Sequence, residues 1–215
     1  MRLAVVILAA GKGTRMESDL PKVLHEIGQK PMISHVIERA VNLGAEKIIS
    51  VIGYKHELVK KSIIHEPTEF AIQFEQLGTG HAVLQCQNQL SDFNGNILVL
   101  SGDVPLISEK TLENLISTHI ESKSRATLLT AEVKDPTGYG RVLLDQNNLL
   151  ESIIEHKDAN DFELTINEIN AGIYVFDSKT LFELLPKVGN NNIQHEYYLP
   201  DVLSLILKNG DKVAI

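Results

Sequence analysis

The sequence predicts an α/β fold: a doubly wound, mostly parallel mixed sheet with an antiparallel subregion in its second part. Three observations carry this. Leu3 to Leu8 is apolar at every position and Asn96 to Leu100 nearly so, as in strands covered on both faces. Segments with helical spacing alternate with these extended ones, the order that builds parallel sheets. After Arg125 the alternation gives way to closely spaced strand-like pieces with turns between them, a pattern suited to antiparallel pairing.

The elements follow in order. After the first strand, Ile33, Val36, Ile37, Ala40 and Val41 recur at helical spacing, with Pro31 to open the helix and Gly44 to close it. Lys47 to Ile52 reads as a strand, His56 to Ile64 as a helix, Phe70 to Phe74 as a short extended piece and His81 to Gln89 as a helix. The strand at Asn96 to Leu100 stops at Ser101-Gly102-Asp103. Leu112, Leu115, Ile116 and Ile120 then mark a helix with Ser108 as its N-cap. Thr127 to Val133, Arg141 to Leu144, Leu149 to Ile154 and Gly172 to Phe176 are strand-like, separated by turn sequences that include Asp135 to Gly138 and Asp145 to Asn148. Helices are expected at Ser178 to Leu185 and Tyr197 to Leu207, and Lys212 to Ile215 begins another strand.

Length and composition exclude several classes. A chain of 215 residues is long enough for one sizeable core, so 1–215 is read as a single domain that needs no disulfide or structural metal. Twenty basic against 28 acidic residues give a net charge of −8, which disfavours nucleic acid and anionic membrane as partners. Cys86 is the only cysteine; it excludes an internal disulfide and fits a cytoplasmic setting. The apolar run from Leu3 to Ala10 is far short of the ~20 residues that span a bilayer.

The strongest chemical signal is the loop Gly11-Lys12-Gly13-Thr14-Arg15-Met16, running on to Pro21-Lys22. In open α/β sheets ligands bind at the carboxyl ends of strands, where this loop emerges. Gly11 and Gly13 let backbone N–H groups approach phosphate oxygens; Arg15 can grip a phosphate bidentately, and Lys12 and Lys22 add positive charge. Neither the dinucleotide fingerprint nor the ATP/GTP P-loop fits this spacing. Asp103, again at a strand's carboxyl end, suits two readings equally: a Mg²⁺ ligand beside bound phosphates, or a turn or N-cap residue. Gln73 to His81 offers amides and Gly78-Thr79 backbone for a pyrimidine edge, although alone it is a glycine turn before a helix. Gly140, Glu155 and Asn170 could hold a sugar, yet singly each reads as a turn or surface residue. There is no zinc-hydrolase histidine pair and no serine-hydrolase elbow.

Taken together, several segments resemble the sugar-nucleotide pyrophosphorylases, a family of nucleotidyltransferases. They are Leu8 to Met16 with Pro21-Lys22, Glu75 to Ala82, Gly102 to Leu106, Gly138 to Arg141, Ile154 to Ala159, Asn170 to Ile173 and Glu196 to Tyr198. The second and fifth of these are similar to the acetamido-sugar branch. The resemblance implies a Rossmann-like fold and transfer of the uridylyl group of UTP to N-acetylglucosamine 1-phosphate, with Mg²⁺, for peptidoglycan and lipopolysaccharide precursors. It implies that Leu8, Ala9, Ala10 and Gly11 line the uridine and ribose side, that Gly13 serves the phosphates, and that Arg15 and Lys22 hold the triphosphate. Gln73, Gly78 and Thr79 would read uracil, Ser101 and Gly102 would sit near the ribose, and Asp103 would bind Mg²⁺. Gly140, Glu155 and Asn170 would hold the acetamido sugar, so the nucleotide half is about 1–124 and the sugar half about 125–215. The family pattern continues with an Asn that completes the metal site and, commonly, an acetyltransferase β-helix that builds a trimer. Neither falls within these 215 residues, so acetyl transfer and trimerisation are not expected of them. A cytidylyl- or guanylyltransferase, or a nucleotide-sugar-binding module without turnover, are the competing readings.

Overall fold

The protein is described here from a computed structural model covering residues 2–13 and 16–215. The chain runs β1 (Leu3–Ala9), β2 (Glu26–Ile27), β3 (Lys30–Pro31), α1 (Met32–Asn42), β4 (Lys47–Ile52), α2 (His56–Ser62), β5 (Glu69–Ile72), α3 (Thr79–Leu84), β6 (Asn96–Ser101) and α4 (Glu109–Ser122). It continues with β7 (Ala126–Glu132), β8 (Arg141–Leu144), β9 (Leu150–Ile154), β10 (Glu168–Asp177), α5 (Ser178–Leu184), α6 (Asp201–Lys208) and β11 (Val213–Ala214).

Because β1 is apolar on both faces, it feeds two cores at once. Leu3, Val5, Ile7 and Ala9 pack with Ile33, Val36 and Ile37 of α1, Val59 of α2 and Leu112 and Leu115 of α4. Ala4 and Val6 belong to the opposite core, with Ala82 and Val83 of α3, Leu181 of α5 and Val202 and Ile206 of α6. The result is three layers, helices on either side of a sheet, as the strand composition requires. Sheet order is β11-β7-β10-β6-β1-β4-β5. Strands β6, β1, β4 and β5 are mutually parallel, whereas β10 enters antiparallel to both β6 and β7. The β8–β9 hairpin hangs from β10 through the pair Ile169 and Arg141. This is the mixed, mostly parallel sheet with an antiparallel subregion that the sequence predicts.

Three boundaries differ from expectation by more than two residues. Strand β10 starts at Glu168, not Gly172, because a bulge between Asn170 and Tyr174 breaks the alternation; Gly172 takes φ +72° there. The last helix begins at Asp201 instead of Tyr197. The Tyr197 N–H donates to the Leu77 carbonyl (2.8 Å) and the Leu199 N–H to Thr79 Oγ1 (3.0 Å), so this segment stays out of the helix. Helix α3 ends at Leu84 and gives way to turns, leaving Cys86 beyond the helix but fully buried. The expected cap is present: Ser108 Oγ accepts from the Thr111 N–H at 3.0 Å. Among the described residues no helix is long and apolar enough to cross a membrane.

Candidate active site

Leu8 of β1 and Ser101 of β6 are register partners in parallel strands, so the two chains leave the sheet side by side. The Gly102 N–H donates to the Leu8 carbonyl at 2.8 Å. A Cβ on Gly102 would lie 3.2 Å from that oxygen and 3.2 Å from Val23 Cγ1, so the glycine lets the two exits close up. Gly102 is itself buried behind the surface it shapes.

Above this edge lies a cleft with two lobes, of about 340 and 640 Å³. The first is lined by Ala9, Ala10, Gly11, Gly13, Gln73 and Gly78. Gly140, Glu155 and Asn170 line the second, and Leu8, Lys22, Thr79, Ser101 and Asp103 line both. The structure therefore brings together nearly all the residues singled out from the sequence. Arg15, with Thr14, lies outside the described residues.

The wall between the lobes is an ion pair. Lys22 Nζ stands 2.5 Å from Asp103 Oδ2, and Ser101 Oγ donates to Asp103 Oδ1 at 2.6 Å. Burial works against the charge on Asp103, but the Lys22 and Ser101 donors outweigh it and hold the carboxyl below its usual range. Asp103 occupies a turn, as the second of its two readings expects, and the N-cap of α4 is Ser108. Gly13, at φ +62°, packs so closely that a Cβ would come within 2.6 Å of Lys22 Cβ, which seats the lysine stem against the loop. Among the described residues no three or more His, Cys, Asp or Glu side chains gather as a metal cage.

In the first lobe, Gln73 follows β5 and is 3% exposed. Its Nε2 donates to the Gly78 carbonyl and meets His81 Nδ1, both at 3.0 Å. Gly78 has φ +106° and ψ 176°, a conformation almost confined to glycine. It is stitched to the far end of the chain: the Gly80 N–H donates to the Tyr197 carbonyl at 2.8 Å, alongside the Tyr197–Leu77 and Leu199–Thr79 bonds. Glu196 reaches this lobe as well. The Glu196-Tyr197-Tyr198 stretch stood out in the sequence without a role; its partners lie about 120 residues away, and no local pattern reports them.

The second lobe is polar and acidic. A Cβ on Gly140 would meet Glu155 Oε1 at 3.1 Å, so the absent side chain accommodates that carboxylate. Burial raises the pKa of Glu155, and the neighbouring charges of Asp158, Asp201 and Glu196 raise it further. Asn170 Nδ2 donates to Tyr174 Oη at 2.7 Å; its Oδ1 accepts from Tyr174 Oη (3.0 Å) and from the Gly172 N–H (2.8 Å). One Nδ2 hydrogen is left to offer a ligand. Arg141, 1% exposed, donates to the Tyr139 carbonyl and lies 3.3 Å from His156 Nδ1, tying together the two loops that carry Gly140 and Glu155.

Comparison with known proteins agrees with this architecture. The family described as "Nucleotidyl transferase" matches residues 4–214. The chain is 49% identical to the bifunctional protein GlmU of Streptococcus uberis over 209 residues, 97% of this chain and 45% of that protein. Against the bifunctional protein GlmU of Halalkalibacterium halodurans it is 50% identical over 209 residues, covering 97% of this chain and 46% of the other. The chain thus spans about half the length of the curated relatives it matches. Among solved structures, a UDP-glucose pyrophosphorylase complexed with UDP-glucose superposes with a TM-score of 0.77 at 22% identity, over 100% of this chain and 90% of that one. HddC from Yersinia pseudotuberculosis complexed with GMP-PN gives 0.68 at 23% identity, over 98% and 88%. At those identities the structures speak for the fold. The family match along nearly the whole chain, with relatives at half identity, makes this chain a member of the nucleotidyl transferase family.

Proposed function

We propose that the chain transfers the uridylyl group of UTP to N-acetylglucosamine 1-phosphate, giving UDP-N-acetylglucosamine and pyrophosphate. The observation that carries the reading is the shared wall: one cation and one carboxylate, Lys22 and Asp103, face both lobes at once. A nucleotide in the first lobe and a sugar phosphate in the second would meet at that wall. A phosphate oxygen of the sugar attacks the α-phosphorus, the bond to the bridging oxygen of the β-phosphate breaks, and pyrophosphate leaves. The nucleophile is already anionic, so no general base is needed, and the protein's contribution is alignment and charge.

On this reading Lys22 turns from Asp103 to the phosphates, with Arg15 as its expected companion. Gln73, Gly78 and Thr79 hold the base; Leu8, Ala9, Ala10, Gly11 and Ser101 border the nucleoside. Glu155 accepts from sugar hydroxyls and Asn170 donates its remaining N–H. Asp103 would hold Mg²⁺: a single ionised carboxylate is the donor set this cation takes when substrate phosphates supply other oxygens. Bound there, the ion supplies charge neutralisation on the phosphates. The nucleotide side is 1–124 and the sugar side 125–215, with Glu196 crossing over to the first lobe. The product would feed cell-wall precursor synthesis in the cytoplasm.

Pyrophosphate release from the chain with UTP, N-acetylglucosamine 1-phosphate and Mg²⁺ tests the proposal. Release that needs all three supports it. Release with CTP or GTP in place of UTP reassigns the nucleotide, and binding of UDP-N-acetylglucosamine without turnover in any mixture makes the chain a binding module.

A further inference from the structure

We propose that His81 is a positioning residue that fixes the sense of the Gln73 amide. The first lobe is thereby made selective for a base whose N3 carries a proton, uracil or thymine, over cytosine, whose N3 is a lone pair. This rests on the reading above only in placing a pyrimidine base in that lobe.

The argument is one of donors and acceptors. The Gly78 carbonyl can only accept, so the end of the Gln73 amide that faces it at 3.0 Å is the nitrogen. The second hydrogen of that nitrogen points at His81 Nδ1, also at 3.0 Å, which must therefore offer a lone pair and leave the proton on Nε2. The ring's Nε2 faces the Gln85 amide at 3.1 Å, and that amide also reaches the His81 carbonyl at 3.0 Å. A neutral ring cannot accept from both amides, so one must turn. Turning either amide sets its oxygen against a backbone carbonyl oxygen, that of Gly78 for Gln73 and that of His81 for Gln85; Gln73, 3% exposed, has no room to withdraw, whereas the half-buried Gln85 can swing towards water. The conflict resolves at Gln85, and Gln73 stays fixed.

What Gln73 then presents is its Oε1. Among the described residues no donor reaches that oxygen, and it is not among the sealed, unpartnered atoms, while the residue lines the lobe. Gln76 does not compete, since its amide is bonded to the backbone carbonyls of Gln73 and Phe74. An outward acceptor completes an N3–H and opposes an N3 lone pair. With the amide released, either end can face the base and the distinction fades.

His81 also packs on Tyr197, with ring centroids 6.5 Å apart, and a purely structural role would rest there. The variants separate the two. His81→Phe keeps a ring and removes the acceptor; His81→Asn returns an acceptor near the Nδ1 position. Calorimetric binding of UTP and CTP to the full chain is the readout. The parent is expected to favour UTP, His81→Phe to lose about tenfold of that ratio, and His81→Asn to keep the ratio within about threefold. If His81→Phe melts far below the parent, His81→Leu serves as the second acceptor-free variant. A parent without preference, or a folded acceptor-free variant that keeps the parent's ratio, overturns the inference. A parent that prefers UTP but releases no pyrophosphate sinks the uridylyl reading and leaves this one standing.

Discussion

Gly78→Ala should be among the most damaging single-methyl additions to this protein. At φ +106° and ψ 176° an alanine is strained by about 1–3 kcal/mol before any contact is counted. The new Cβ would stand 2.6 Å from the Tyr197 carbonyl oxygen, 2.9 Å from the Tyr197 nitrogen and 3.0 Å from Glu196 Cβ. Two of those atoms are backbone, so no rotamer relieves the clash and the segment must retreat. Retreat stretches the Tyr197–Leu77 and Gly80–Tyr197 bonds, both 2.8 Å, each worth about 0.5–1.5 kcal/mol. The total is about 2–6 kcal/mol, which for a chain of this size lowers the melting midpoint by about 4–24 °C. Gly11→Ala is the control. It lines the same lobe and, among the described residues, nothing lies within 4 Å of where its Cβ would be, so its midpoint should stay within about 2 °C while UTP binding weakens. Thermal melts followed by circular dichroism decide. A Gly78→Ala midpoint within about 2 °C of the parent would refute the claim that this turn is held in its glycine-only shape by the Tyr197 segment.

Lys22→Ala should leave the melting curve nearly unchanged, because its ion pair is partly exposed, while steady-state turnover falls by about two to three orders of magnitude. Near-parental turnover would remove Lys22 from the chemistry. Glu155→Gln should stabilise the protein at neutral pH and raise the KM for the sugar phosphate. The sign follows from linkage: with its pKa raised in the fold, Glu155 binds protons more readily folded than unfolded. Stability therefore falls as pH climbs from the ordinary carboxyl value of 4.5 through the raised one. The parent-minus-variant midpoint should drop across that window, and parallel pH profiles would contradict it. Cys86, fully buried and with its thiol pushed up to about 12, should ignore a thiol reagent at pH 8 until the protein is denatured. Prompt labelling of the native chain would show that the core opens there.

The parallel half of the fold was legible because its signals are local. Lys47–Ile52 falls at the residues its apolar pattern marks, Asn96–Ser101 within one residue of them, and Ser108 caps α4 through its own side chain. The site was legible for a related reason: in such sheets the carboxyl ends of β1 and β6 open together, so Gly11, Gly13 and Asp103 had to be near one another. What could not be read depends on pairs distant in sequence. Nothing around Lys22 announces Asp103, and nothing near Tyr197 shows that its N–H is claimed by Leu77. The start of β10 was missed because the bulge at Asn170 hides its period. His81 passed as one more polar residue in a glycine turn, since its weight lies in which of its nitrogens meets an amide, a matter of geometry alone.

Strand β10 has a consequence for any attempt to dissect the protein. It lies between β6 and β7, so the strands of residues 126–154 reach the parallel half of the sheet only through a ribbon made last but one. Cutting the chain near residue 124 would not yield two self-sufficient pieces. The first fragment would carry β6 with Ile97, Leu98, Val99 and Leu100 along an open, unpaired edge, the kind of surface on which chains stack into aggregates. During synthesis that edge stays unprotected until residue 177 has left the ribosome. The two lobes of the cleft are thus not modules that can be exchanged by fusion at a linker. Any recombined version with another sugar side must carry a β10 whose pleat fits this β6.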